Sequence, residues 1–539
     1  MKKIKGVIFD LDGTIISSFI DFSAMKRRIE KLAEKYNMKT PSKKLPALEM
    51  IEIIYRKNKK NREKFKEEAE KIIIEEEIAG IEKAFSHPDM LVLLKKLKKN
   101  GIKIGIITRN CRKVTEVVIK KFSIPYDVVL TRDDVRKVKP NIHHLNEVLK
   151  KMGIKKENAV IVGDHYFDIL CGKKAGILTC GIVRDGKFEN LGNLTPDFVF
   201  ESGKEIEYLT GLRKFKSGKL PAPFLEYLLK KYTSVDKNVI KGAGIGIDCA
   251  VFKVKSDILH SKSDPIILVR EDIGFYLINI NANDISVSGA KPEYFLSTLV
   301  FPENVSFQKI EEVFFQISQE CKKSGIKWIG GHTEISSSVK SVICSGFMLG
   351  VPVKKRGREK IKKGDKVFIV KEVGIEGASI IVREKYEYLK RFFSEKYLKK
   401  VKNSIRKPGI GILDEGIFLW RNFKIKLMHD PTEGGISTGL YELSEVSGRK
   451  IYISPEKIPF YPPALKLCKI FDLDIRGLIS SGCIIGIASE KEIVKMEKIY
   501  RKRKIKFSVL GEIKEKGYGV FTENGAPFVK FEKDEIIRL

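Results

Sequence analysis

A chain of 539 residues exceeds what one hydrophobic core supports, so about two to four domains are expected. Its 43% hydrophobic and 32% charged composition excludes a disordered chain, and charged residues interrupt every apolar run before it reaches membrane-spanning length. The formal charge of +33 is dispersed among helical segments and interleaved with Glu, which describes a solvated surface; without a zinc knuckle or Arg/Gly tract, nucleic-acid binding is not the expected role.

Lys2, Lys3 and Lys5 resemble a charged leader, but Asp10 cuts the following apolar run short, so no signal peptide and a cytoplasmic location are expected. The eight cysteines are scattered with no C-x-x-C and read as reduced thiols.

Residues 7–9 read as a buried strand, and residues two apart on a strand share a side, so Asp10 and Asp12 leave its end together. Gly13 permits a sharp turn and Thr14 offers a hydroxyl. Such a pair holds Mg²⁺ or divides labour between nucleophile and acid, the plain alternative being a strand that ends in an Asp-rich turn. From Asp21 to Ile81 the periodicity gives two or three amphipathic helices. Strands at 102–107, 128–130, 159–162 and 177–183 then alternate with helices at 113–122, 143–152 and 167–175. Alternation predicts an α/β doubly wound parallel sheet, with the inserted helices as a cap over its carboxyl end.

The pattern changes around Gly218-Lys219-Leu220-Pro221. Domains are expected at 1–212 (helical cap about 18–85), 218–352 and 353–539, the last two parted near Lys354-Lys355-Arg356-Gly357. The second and third read as two α/β subdomains.

Later strand ends supply what the Asp pair lacks. Thr108-Arg109-Asn110 offers a hydroxyl and amides to a phosphoryl oxygen, Lys139 places a cation before a helix, and Asp164 with Asp168 suits Mg²⁺. In this order the four motifs resemble the haloacid-dehalogenase-like hydrolase superfamily, and the small cap resembles phosphoglycolate-phosphatase-like members. The resemblance implies a phosphoric monoester hydrolase. Asp10 would be the nucleophile and Asp12 the general acid and base; Thr108 would hold the phosphoryl group, Arg109 and Asn110 would bind substrate, and Lys139 would neutralise charge. Asp10, the Asp12 backbone carbonyl, Asp164 and Asp168 would hold Mg²⁺. The cap points to a small diffusible phosphorylated metabolite. His143, His144 and His165 fall near the expected mouth, as substrate contacts or as surface and capping residues.

The second half carries Gly244-Ile245-Gly246-Ile247-Asp248, Asn283-Asp284-Ile285, Gly331-His332-Thr333-Glu334 and His429-Asp430-Pro431-Thr432-Glu433-Gly434-Gly435. Glycine turns beside separated acids suit a polyphosphate with its Mg²⁺ ions. Together these segments resemble the aminoimidazole-ribonucleotide synthetase-like superfamily, nearest the hydrogenase-maturation dehydratase and its archaeal relatives. The resemblance implies ATP and Mg²⁺ binding and a homodimer formed through the first subdomain. Asp248 and Asp284 would be metal ligands, Glu271 or Asp272 a third, and Gly244, Gly246, Gly331, His332 and Asp430 would line the nucleotide. Two departures stand out: Ile247 replaces one of a pair of acids, and the chain ends in Arg538-Leu539 without the terminal cysteine of the maturation enzyme. The competing readings make the second half the main catalyst, a kinase or ATP-dependent dehydratase with an auxiliary phosphatase, or a nucleotide-sensing dimerisation module.

Overall fold

The computed structural model describes residues 3–41, 45–184, 194–266, 269–354 and 359–539. Lys2 and the anticipated boundary residues Lys355, Arg356 and Gly357 lie outside the described residues. The chain forms two compact units. The first comprises Met1–Lys216, Leu220–Tyr227 and Asn304–Glu311; the second comprises Ser217–Lys219, Leu228–Glu303 and Glu312–Leu539.

The first unit is built on six parallel strands in the order Val128–Leu130, Lys103–Ile107, Gly6–Phe9, Ala159–Gly163, Leu178–Ile182 and Phe198–Phe200. Helices cover both faces of such a sheet, so its middle strands read as unbroken apolar runs; all four residues of Gly6–Phe9 are buried. From this strand the chain winds outward to Val128–Leu130, then crosses back and winds out the other way. Asp10 therefore leaves the sheet where the winding direction reverses, which is where open parallel sheets form a crevice.

Three helices, Phe22–Lys35, Ala47–Lys57 and Arg62–Glu82, form the cap. Asp21 caps the first by accepting from the Ala24 amide at 2.7 Å. Apolar residues three and four apart make one cap core of Met25, Ile29, Leu32, Met50, Ile54, Phe65, Ala69 and Ile73. Two short antiparallel strands, Ile16–Ser17 and Phe85–Ser86, join the cap to the sheet. The helix Pro88–Lys99 and the strand Phe198–Phe200 add to the expected elements.

The second unit contains two sheets. The first has the order His260–Ile266, Ile343–Pro352, Ala290–Pro302, Lys327–Ser336 and Gly218–Lys219, and only its Ala290–Pro302 and Lys327–Ser336 pair is parallel. The second has the order Ile425–His429, Ile484–Ala488, Lys366–Val370, Phe507–Lys516, Arg449–Ile453 and Val520–Thr522, antiparallel but for its last pair. The helix Ile273–Val287 is buried at every position except Asn279 and Asp284. On it, Asn283 donates to the Ile410 carbonyl at 2.9 Å and accepts from the Ile412 amide at 2.8 Å, satisfying both ends of a buried amide.

Candidate active site

Four strand ends of the first unit converge as the motif order requires. Asp10 is buried and accepts from the Leu11 amide at 2.7 Å. The fully buried Lys139 ammonium pairs with Asp10 and lies 2.7 Å from Asp168 Oδ1. Buried Thr108 accepts at Oγ1 from the Asn110 amide at 3.2 Å. Thr14 donates to Asp164 Oδ1 at 2.9 Å, and its oxygen in turn accepts from the Asp164 amide at 3.1 Å. Asp12 accepts from the Ser18 amide at 3.0 Å and the Ser18 hydroxyl at 2.6 Å.

Two glycines make this approach feasible. Gly13 adopts φ +81°, and a Cβ there would sit 2.0 Å from Asp164 Oδ2; a Cβ on Gly163 would lie 2.4 Å from the Asp168 carboxyl carbon.

The electrostatics follow from crowding acids away from water. Burial lifts Asp12 above its ordinary value, with the nearby Asp10 charge adding to it against the Ser18 hydrogen bonds. Burial, then Asp10, raises Asp164 to about 6 and Asp168 to about 8. Burial opposes the Lys139 charge, but Asp10 and Asp168 outweigh it and hold the ammonium above its usual range. One lysine cannot neutralise three acids. Asp10, Asp164 and Asp168 each offer an oxygen within 4.8 Å of the others, the donor set a hard oxygen-seeking cation requires. The Asp12 carboxylate lies outside this group, bound to Ser18.

His144 is buried, and burial followed by the Lys139 charge lowers it to about 4. One ring nitrogen lies 3.4 Å from the Lys139 amide and the other 3.1 Å from the Leu130 carbonyl, so the neutral ring braces the backbone behind Lys139. His165 caps a helix by accepting from the Phe167 amide at 3.1 Å. Arg109 is engaged by Glu49 of the cap, a contact that sequence gave no sign of: Glu49 looks like any surface acid on an amphipathic helix.

In the second unit, Asp430 is buried and faces Asp284; burial and that neighbouring carboxylate push Asp430 well above its ordinary value. Asp430 Oδ2 meets no hydrogen-bond donor among the described residues. Lys262, a residue type with no distinguishing signal in the sequence, lies 3.1 Å from Asp284 Oδ2. Asp248 sits in an exposed loop with Gly244 and Gly246, and among the described residues it joins no group of three close ligands. Glu271 and Asp272 are committed to cations: Arg383 binds both, at 2.7 and 2.8 Å, with Lys402 on Glu271 and Arg406 on Asp272. His332 is exposed on a strand and pairs with Glu334 at 3.2 Å. Gly331, beside it, has φ +147°, and a Cβ there would lie 2.0 Å from the Ser297 carbonyl oxygen, so this glycine serves strand contact.

Residues 7–182 match the haloacid dehalogenase-like hydrolase family. A putative pyrophosphatase PpaX of Clostridium perfringens is 32% identical over 227 residues, 40% of this chain and all of that protein. The first unit belongs to the haloacid dehalogenase-like hydrolases. Residues 246–352 and 362–523 match the N-terminal and C-terminal domains of AIR synthase related proteins. A putative hydrogenase expression/formation protein of Methanocaldococcus jannaschii is 27% identical over 242 residues, 44% of this chain and 68% of that one. The crystal structure of Escherichia coli HypE, a hydrogenase maturation protein, aligns over 58% of this chain and 97% of that one, with TM-score 0.48 and 18% identity. The chain thus joins a haloacid dehalogenase-like hydrolase to an AIR synthase-related pair of domains, and no described helix is long and apolar enough to cross a membrane.

Proposed function

We propose that the first unit is a Mg²⁺-dependent phosphatase that cleaves a small phosphate ester through an aspartyl-phosphate. The observation that carries this reading is the Lys139 ammonium bridging Asp10 and Asp168 at the crevice, with Asp12 two residues from the nucleophile and raised by burial. The Asp10 carboxylate attacks phosphorus, the ester P–O bond breaks, and Asp12 gives its proton to the departing oxygen. Water then attacks the phosphorus of the acyl phosphate, passing a proton back to Asp12 and releasing phosphate and the Asp10 carboxylate. Thr108, with the amides around it, holds phosphoryl oxygens, and Lys139 balances the charge they gain. Asp10, Asp164 and Asp168 would hold Mg²⁺, which supplies further positive charge to the phosphoryl oxygens. The PpaX resemblance adds pyrophosphate to the candidate substrates.

For the second unit we infer an ATP-binding, synthetase-like function, supported by the AIR synthase-related matches and by the facing of buried Asp430 and half-buried Asp284. Lys262 answers the Asp284 carboxylate, and the Asp430 carboxyl beside it would keep a proton or take up a further cation. A homodimer would use the outer face of the first sheet, where Phe347 is 42% exposed.

The test of the first reading compares the full chain with Asp10→Asn on a panel of small phosphate esters and pyrophosphate with Mg²⁺. Phosphate release by the parent and its loss in the variant are expected; equal release by both overturns the nucleophile. For the second, calorimetric titration with ATP and Mg²⁺ is expected to show binding that Asp284→Ala removes.

A further inference from the structure

Residues 528–539 run across the loop that carries Asp430 in the second unit. The first of them are anchored on the helix Gly435–Ser447: Phe528 is buried, its carbonyl accepts from the Tyr441 hydroxyl at 2.6 Å, and the Val529 carbonyl accepts from the Ser437 hydroxyl. Phe531 lies against Gly477, where a Cβ would come within 2.6 Å of the ring. Asp534 follows, only 2% exposed. Its Oδ2 accepts from the Gly434 amide at 2.7 Å, and its Oδ1 from the Ile479 amide at 3.2 Å and the Ile536 amide at 2.8 Å. Glu535 is buried too, and accepts from the Asp474 amide at 2.8 Å and from Arg538 at 2.6 Å.

The loop after Asp430 cannot hold itself in this way. Gly434 stands at the cap of the helix Gly435–Ser447 and brings no side chain to its first amides, which have no partner inside a helix. In a capping box an acid three residues into the helix accepts from the cap amide, but that position is Ser437, whose hydroxyl is given to Val529. Asp534 takes the amide instead, from 100 residues further along the chain. The loop also crosses the segment 474–482 at backbone distance. Gly435 has φ +64°, and a Cβ there would lie 2.6 Å from the Leu478 carbonyl oxygen; the Ser480 amide donates to the Thr432 carbonyl at 3.2 Å. Asp534 binds one amide from each side of this crossing. Burial raises Asp534 and the three amides act against it, so the contacts it makes are what keep it a carboxylate.

We propose that Asp534 is a positioning residue for the second-unit site: it fixes the loop 430–435 against the segment 474–482 and so sets where the Asp430 carboxyl stands. This rests on the ATP-binding reading of the second unit and adds to it a residue that touches no nucleotide. The side chain acts through two backbone amides, so its loss shifts Asp430 without removing any group that meets the ligand.

The test titrates the full chain with ATP and Mg²⁺ by calorimetry and follows amide exchange by mass spectrometry in peptides covering residues 429–435. Asp534→Ala is expected to weaken ATP binding by about tenfold or more and to speed exchange in those peptides. Glu535→Ala frees the same segment from the Asp474 amide and controls for general loosening; it is expected to lower the unfolding midpoint while leaving ATP affinity and loop exchange unchanged. Asp534→Asn keeps one oxygen to accept an amide and is expected to fall between the parent and Asp534→Ala, a partial rescue that a mere loss of packing does not give. Should Asp534→Ala fail to fold, Asp534→Asn against Glu535→Ala decides. The proposal is overturned if the Asp534 variants bind ATP as the parent does, or if Glu535→Ala weakens binding as much. Should the parent bind no ATP, the nucleotide reading fails on its own and exchange alone decides. Faster exchange of the loop in the Asp534 variants but not in Glu535→Ala supports the positioning role, and unchanged exchange overturns it.

Discussion

At the scale of single residues, the molecule's perturbed acids mark where burial and charge have been traded. Burial, and after it the Asp10 charge in the same pocket, raises Asp164 and Asp168, and Lys139 offsets only part of that. Glu376, at the start of the helix Ile375–Glu384 in the second unit, is raised by the same leading cause. Burial pushes it to about 7, against the Ser481 amide that donates to it at 3.2 Å. A carboxyl near 4.5 when unfolded and near 7 when folded binds more protons in the folded state throughout that interval. Its contribution to stability is therefore complete below pH 4.5 and lost as pH rises through 7, on the order of 3 kcal/mol for a shift of this size. Urea unfolding between pH 5 and 8 is expected to show that decline in the parent and a flatter profile in Glu376→Gln.

At the scale of elements, the seam between cap and sheet rests on few groups. Glu77 of the cap helix Arg62–Glu82 pairs with Arg132, and both side chains are largely buried. Removing one partner leaves the other charge stranded, which costs roughly 3–5 kcal/mol. Glu77→Ala is expected to lower the unfolding midpoint and to speed amide exchange in the cap helices, whereas replacing the exposed Glu67 leaves both unchanged.

Elements also show what the sequence could reveal. The parallel sheet and a cap of two or three helices were legible because apolar runs of strand length alternate with clear helical periodicity, and Asp10, Thr108 and Asp164 each directly follow such a run. The strand Phe198–Phe200 is too short to carry a pattern of its own. The helix Pro88–Lys99 went unread although its Pro start and its buried Met90, Leu93, Leu94 and Leu97 fit the rules. Contacts such as Glu49 with Arg109 or Lys262 with Asp284 join residues far apart in sequence whose types are ordinary at the surface, so no local signal announces them. In the second unit, glycines expected at a nucleotide divide: Gly331 answers to a neighbouring strand, while Gly244 and Gly246 sit in a loop with Asp248.

At the scale of the whole molecule, one chain joins a haloacid dehalogenase-like hydrolase to an AIR synthase-related pair of domains. The outer face of the first sheet in the second unit offers exposed Phe347 flanked along its strand by half-buried Ser345 and Leu349, and the proposed dimer would use this face. Sedimentation is expected to show a dimer for the parent and a monomer for Phe347→Glu, with phosphatase turnover retained, because the crevice at Asp10 is assembled within the first unit.

The proposed turnover depends on Asp10 becoming phosphorylated. Rapid acid quenching of the full chain during turnover of a hydrolysed ester with Mg²⁺, followed by peptide mass spectrometry, reads this directly. One phosphoryl group on the peptide containing Asp10, absent from Asp10→Asn and lost on standing at neutral pH, is the expected result. Undiminished turnover by Asp10→Asn, with no adduct on that peptide in the parent, would contradict it.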